Sequence, residues 1–102
     1  AEVVVIAYGS VARSSLSAVQ DARKSGIKAG LLQLITLFPF PRGTVSPLLS
    51  QCRAVLIPEM NMGQISREVQ RVNQTDCRVV KHNRIDGKFI TPIEIYKHLI
   101  KL

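Results

Sequence analysis

Val3-Val4-Val5-Ile6-Ala7-Tyr8 is an unbroken, largely β-branched apolar run closed by Gly9, which predicts a central strand buried on both faces, as in a parallel sheet. The apolar rhythm then changes. Ala12, Leu16, Val19 and Ala22 recur at helical spacing, with Ser10 ahead of them as cap and Lys24 and Gly26 behind, which predicts a helix of about 14 residues. Ala29 to Leu37 is apolar again apart from Gly30, Gln33 and Thr36, and Pro39-Phe40-Pro41 ends this second strand because proline has no N–H for a ladder. A short helix is expected within residues 42–52, with Ser46 as cap and Pro47 in the first turn, or else with a kink at Pro47.

The alternation continues. Ala54 to Pro58 predicts a third strand, Glu59 to Gly63 the turn after it, and Ile65, Val69 and Val72 the apolar face of the next helix. Cys77 to Val80 reads as a fourth strand and Asp86-Gly87 as a turn. Thr91-Pro92-Ile93-Glu94 is a capping box with proline at the first helical position, opening a last helix with Ile93, Tyr96, Leu99 and Ile100 apolar. Strands alternating with helices imply parallel strands joined by right-handed crossovers, hence an α/β fold with helices on both faces of the sheet. No repeat, linker or low-complexity segment interrupts the pattern, so residues 1–102 read as a single domain.

Composition narrows the class. A chain of 102 residues has room for one core, burying about 60–68% of its unfolded surface. Its hydrophobic fraction of 46% and mean hydropathy of +0.15 exclude a disordered tail. No apolar stretch approaches the roughly 18–20 residues of a membrane span, so no membrane partner is expected. The start, Ala-Glu running straight into Val3, lacks a signal-peptide pattern and reads as a segment from within a longer chain. Cys52 and Cys77 form no CxxC pair, so neither a disulfide framework nor a zinc site is expected, both read as small buried hydrophobes, and reducing cytoplasm is the expected compartment. The net charge of +7 is compatible with an anionic partner, but the cations are scattered and the five aromatics are not interleaved with them, so nucleic-acid binding is not expected.

Open parallel sheets carry their ligand sites where the strands end, so candidates are sought in the loops at Gly9-Ser10, Phe38 to Pro41, Glu59 to Gln64 and Asn83 to Gly87. Gly9, Ser10 and Arg13 offer an anion-binding helix start, although the glycines of GxGxxG and of the P-loop are missing and a plain turn capped by Ser10 is favoured. Glu59, Asn61, Gly63 and Gln64 put a carboxylate, two amides and a glycine at one strand end. The plainer account has Asn61 capping the next helix, Gln64 reaching back and Glu59 meeting an arginine. Asp86 completes the rim. His82 and His98 have no acidic or cysteine neighbours at ligand spacing, so metal binding is not expected and they read as surface or interface residues. No GxSxG elbow is present, and no catalytic constellation emerges.

Taken in order, Ile-Ala-Tyr-Gly-Ser (6–10), Leu-Ile-Thr-Leu-Phe-Pro-Phe-Pro (34–41), Pro-Glu-Met-Asn-Met-Gly-Gln (58–64) and Arg-Ile-Asp-Gly-Lys-Phe-Ile-Thr-Pro (84–92) resemble the C-terminal domain of the alpha subunit of 2-oxoacid:ferredoxin oxidoreductases, most of all the 2-oxoglutarate type and next the branched-chain type. Pro58, where a branched aliphatic residue is usual, and Gly43 to Pro47, where an acidic helix start is usual, depart from that pattern. The resemblance implies a transketolase C-terminal-like, three-layer α/β/α sandwich with a mainly parallel sheet of about four to five strands. Four of these are visible, in expected order 2-1-3-4. The antiparallel first strand and a thiamine-binding-type domain are expected ahead of Ala1.

The resemblance further implies an enzyme that converts a 2-oxoacid and coenzyme A to acyl-CoA and carbon dioxide while reducing ferredoxin. Thiamine diphosphate, magnesium and iron–sulfur clusters are implied for the holoenzyme, and none of them for this domain. The domain itself is implied to be inactive alone, packing against subunits of the beta, gamma or delta type and bordering the active site. The competing expectation from charge and the Gly9-Ser10 helix start is a free-standing anion or nucleotide-phosphate binding module.

Overall fold

A computed structural model describes residues 2–35, 41–59, 64–83 and 90–102, with Gln64 and Asn83 described by their backbone. Strands and helices alternate as β1 (Val3–Tyr8), α1 (Val11–Lys24), β2 (Ala29–Leu34), α2 (Arg42–Leu49), β3 (Ala54–Glu59), α3 (Gln64–Val72), β4 (Arg78–Asn83) and α4 (Pro92–Leu99). Among the described residues the sheet has four strands, all parallel, in the order β2-β1-β3-β4. That is the expected order, and β1 is central as its continuous apolar run requires.

Strand parity sorts the interior into two layers, because successive side chains of a strand point to opposite faces. Val3, Val5 and Ala7 pack with Ala18, Val19 and Ala22 of α1 and Ile95 and Leu99 of α4. Val4 and Ile6 pack with Val45 and Leu49 of α2 and Ile65 and Val69 of α3. Helices therefore cover both faces, and the three-layer sandwich follows.

Several elements differ from the sequence expectation in phase or length. In α1 the inward stripe runs through Val11, Ala12, Ser15, Ala18, Val19 and Ala22, while Leu16 lies half exposed. Ser15 tolerates complete burial because its hydroxyl donates to the Val11 carbonyl at 2.8 Å. In α4, Ile95 and Leu99 face the core, and Ile93 and Ile100 are 66% and 51% exposed. Thr91 caps α4 as expected, its hydroxyl accepting from the Glu94 N–H at 3.2 Å, with Pro92 in the first turn.

Helix α2 begins at Arg42, so Pro47 sits inside it and Ser46 is no cap. Thr44 and Val45 N–H groups both donate to the Pro41 carbonyl at 3.1 Å, and the early start places Val45 and Leu49 one turn apart in the core. A start at Ser46 would leave Val45 outside that stripe. Proline removes one helix bond, a loss confined to the last turn of an eight-residue helix.

Strand β2 ends at Leu34, short of Leu37, and Ile35 is 91% exposed. Strand β4 covers Arg78–Asn83 rather than 77–80, because Lys81, His82 and Asn83 keep pairing with Ile57, Pro58 and Glu59 although they are polar. Pro58 lies beyond Leu56, the last β3 residue paired with β1, so its missing N–H takes no bond from that ladder. Glu59 is the last residue of β3 rather than the first of a turn.

Candidate functional site

The site is built from the carboxyl ends of β1, β3 and β4. On β3, Val55 and Ile57 belong to the α2/α3 layer, so Glu59, two and four residues on, points to the same side. Its side chain is completely buried. One carboxylate oxygen accepts from the Ile65 N–H at 2.9 Å and the other from the Ser66 N–H at 3.1 Å. Tyr8, at the end of β1 and on the same face, donates its hydroxyl to Glu59 Oε1 at 3.5 Å. A carboxylate placed on two free N–H groups of a helix start gains both charge-assisted hydrogen bonds and the helix dipole.

Glu59 itself therefore caps α3 from the preceding strand, and its partners are backbone N–H groups rather than the expected arginine. The reason is parity: the side chain faces the α2/α3 layer, where the N–H groups of α3 begin. Asn61 and Gly63, the other residues expected here, lie outside the described residues, as do Asp86 and the Phe38-Pro39-Phe40 segment; Gln64 opens α3 and its backbone alone is described. Enclosed in this way, Glu59 ties the end of β3 to the start of α3. Tyr8 and Ser66 were not singled out in the sequence. The only signal for Tyr8 was its place at the strand end, one residue before Gly9.

The Gly9-Ser10 turn is simpler than a cradle. Gly9 has φ +62°, a conformation that favours glycine, and its carbonyl accepts from the Ala12 N–H at 3.1 Å. Ser10 is exposed, helical in conformation, and makes no side-chain capping bond, which corrects its expected role. The backbone carbonyl of Gly9 already serves the Ala12 N–H that a serine cap would take. Arg13 is exposed on the first turn of α1. The structure brings neither Ser10 nor Arg13 to Glu59.

At the end of β4 two histidines distant in sequence meet. His82 and His98 have ring centroids 4.3 Å apart, and His82 Nε2 lies 2.9 Å from Glu94 Oε2. Burial, with His82 and Lys101 adding to it, holds His98 below the ordinary histidine value of 6.5, and Glu94 opposes the shift. Among the described residues no three His, Cys, Asp or Glu side chains are arranged to hold a metal ion. Cys52 and Cys77 are buried free thiols at the opposite end of the sheet. Among the described residues no helix is long and apolar enough to cross a membrane.

Residues 1–95 match the family described as pyruvate:ferredoxin oxidoreductase core domain II. The chain is 36% identical over 100 residues to the 2-oxoglutarate synthase subunit KorA of Methanocaldococcus jannaschii, covering 98% of this chain and 27% of that protein. It is 42% identical over 90 residues to KorA of Archaeoglobus fulgidus, covering 88% of this chain and 25% of that protein. It is 41% identical over 92 residues to the ketoisovalerate oxidoreductase subunit VorB of Methanothermobacter thermautotrophicus, again covering 88% and 25%. The chain thus spans about a quarter of the length of these relatives. Its fold superposes with a TM-score of 0.88 on 99% of its length with the 2-oxoglutarate:ferredoxin oxidoreductase of Magnetococcus marinus, at 24% identity and covering 18% of that chain. A split-gene transketolase matches with a TM-score of 0.85 at 20% identity, covering 98% of this chain and 37% of the other.

Proposed function

The chain belongs to the pyruvate:ferredoxin oxidoreductase core domain II family, and from that premise we propose that it is the non-catalytic C-terminal domain of the alpha subunit of a cytoplasmic 2-oxoacid:ferredoxin oxidoreductase of the 2-oxoglutarate type. The reaction of the whole enzyme joins 2-oxoacid and coenzyme A into acyl-CoA and carbon dioxide, with two electrons passing to ferredoxin. The observation that carries the domain's share is Glu59: a fully buried carboxylate at the rim, it caps the domain's own helix. On this reading the carboxyl end of the sheet packs against a neighbouring subunit rather than supplying reacting groups.

Thiamine diphosphate with magnesium supplies carbanion chemistry when bound, and iron–sulfur clusters carry the electrons. The described residues do not fit either group. Two thiols are half the four-cysteine set of a common cluster, and among the described residues no three His, Cys, Asp or Glu side chains are grouped to hold a metal ion. Those groups are assigned to other domains and to subunits of the beta, gamma or delta type, against which this domain packs. The free-standing anion-binding module is not supported by the family finding, and the Gly9-Ser10 turn offers no cradle for it.

Arg13→Glu combined with Ser10→Glu tests the assembly role, since both side chains are exposed on the rim. Co-purification with the thiamine-binding partner subunit and ferredoxin reduction by the complex are expected to fall, with the melting temperature of the variant subunit unchanged. Association and turnover equal to the unmodified complex would refute the proposal.

A further inference from the structure

Cys52 and Cys77 stand 25 residues apart in sequence, yet their Sγ atoms are 3.7 Å apart. They flank the entries of β3 and β4, whose register pairs Ala54 with Arg78, and the Arg78 N–H donates to the Arg53 carbonyl at 3.0 Å. The two cysteines thus precede adjacent parallel strands, which lie about 4.8 Å apart, and disulfides span Cα separations of about 4.4–6.8 Å. Closing the sulfur gap to the about 2 Å of a bond asks for a shift shared by two short side chains. The pair is not sealed. Cys52 and Cys77 are 9% and 7% exposed, and both line an open pocket of about 420 Å³ with Ser50, Arg53, Thr75 and Asp76.

We propose that Cys52 and Cys77 are a reversible dithiol–disulfide site that reacts with small-molecule disulfides entering this pocket. The Cys52 thiolate attacks one sulfur of the reagent R–S–S–R, forming a Cys52–S–S–R bond and releasing R–S⁻, which takes up a proton. The Cys77 thiolate then attacks Cys52 Sγ, forming the Cys52–Cys77 bond and releasing the second R–S⁻. Two thiols lose two electrons and two protons in all, and the reagent is reduced to two R–SH. The order follows from the environment. Burial, and then the hydrogen bond and charge of Cys52, push the Cys77 thiol up to about 12, so it is not the first nucleophile. Capping Cys52 removes the second and third of those causes, burial remaining, and Cys77 attacks because its Sγ already stands 3.7 Å from Cys52 Sγ. The bond would staple the segment that contains β3, Glu59 and α3, at the end of the sheet opposite the rim.

The test is peptide mapping of the native complex after anaerobic exposure to oxidised glutathione, acid quench, alkylation with N-ethylmaleimide and trypsin digestion. Cleavage at Arg42, Arg53, Arg71 and Arg78 places Cys52 in peptide 43–53 and Cys77 in peptide 72–78. The expected result is one linked species containing both peptides, two hydrogens lighter than their sum and separated again by dithiothreitol. In Cys77→Ser, peptide 43–53 should instead accumulate with one glutathione attached. Recovery of both peptides singly alkylated, or each carrying its own glutathione, would overturn the site. A Cys77→Ser subunit that acquires no glutathione on Cys52 would overturn the order of attack.

Discussion

A carboxylate with no exposed surface must find donors, and Glu59 finds two of the four that a helix start leaves without an intrahelical partner. Glu59→Ala should strand both N–H groups in the interior and cost about 2–4 kcal/mol of stability. Glu59→Gln keeps one acceptor oxygen, and its cost should be nearer about 1 kcal/mol. Urea denaturation of the two variants checks this, and equal midpoints would contradict a capping role that depends on two acceptors. The sequence marked Glu59 as unusual, a carboxylate directly after an apolar strand. It did not say whether the group faced solvent, an arginine or its own helix, because residues 59, 65 and 66 are related by a crossover and not by a local period. Cys52, Cys77 and the two histidines share this: each was noticed alone, and only its neighbour gave it chemistry.

At the scale of elements, the apolar pattern located every helix but misplaced the inward face of two of them. An apolar residue at helical spacing is a candidate for the core, and the cap then sets the phase. In α4 the Thr91 cap turns Ile95 inward at 0% exposure and leaves Ile93 at 66%. Ile95→Ala should therefore cost about 3 kcal/mol through lost burial and a cavity, whereas Ile93→Ala should stay within about 0.5 kcal/mol. Thermal and denaturant unfolding of the pair measures the contrast; similar losses would mean the phase is wrong. Strand β4 shows the reverse failure. Lys81, His82 and Asn83 carry no apolar signal, and their extended conformation comes from pairing with β3.

Across the whole molecule, β4 and α4 meet through His82, Glu94 and His98, a contact between elements that adds a pH dependence. His98 is held below 6.5 in the fold, chiefly by burial, with His82 and Lys101 adding to the shift and Glu94 opposing it. An unfolded chain takes up a proton near that value while the folded chain resists it, so the unfolded state binds more protons as pH falls. Stability is thus full above 6.5 and declines from there down to the lowered folded value. His98→Gln should reduce the fall in urea midpoint between about pH 7.5 and about pH 5. An unchanged profile would remove His98 as its source.

The sequence by itself determined the alternation of elements, the parallel four-strand order, the capping of α4 and the family, since each rests on local periods, caps or ordered motifs. Only the tertiary structure decided which atoms those elements bring together. Strand parity aimed Glu59 at α3, the pairing of β3 with β4 brought together the two thiols that precede them, and α4 folded back to set His98 against His82. The physical reason is that burial, hydrogen-bond partnership and proton affinity are properties of neighbours, and here the neighbours come from distant stretches of chain.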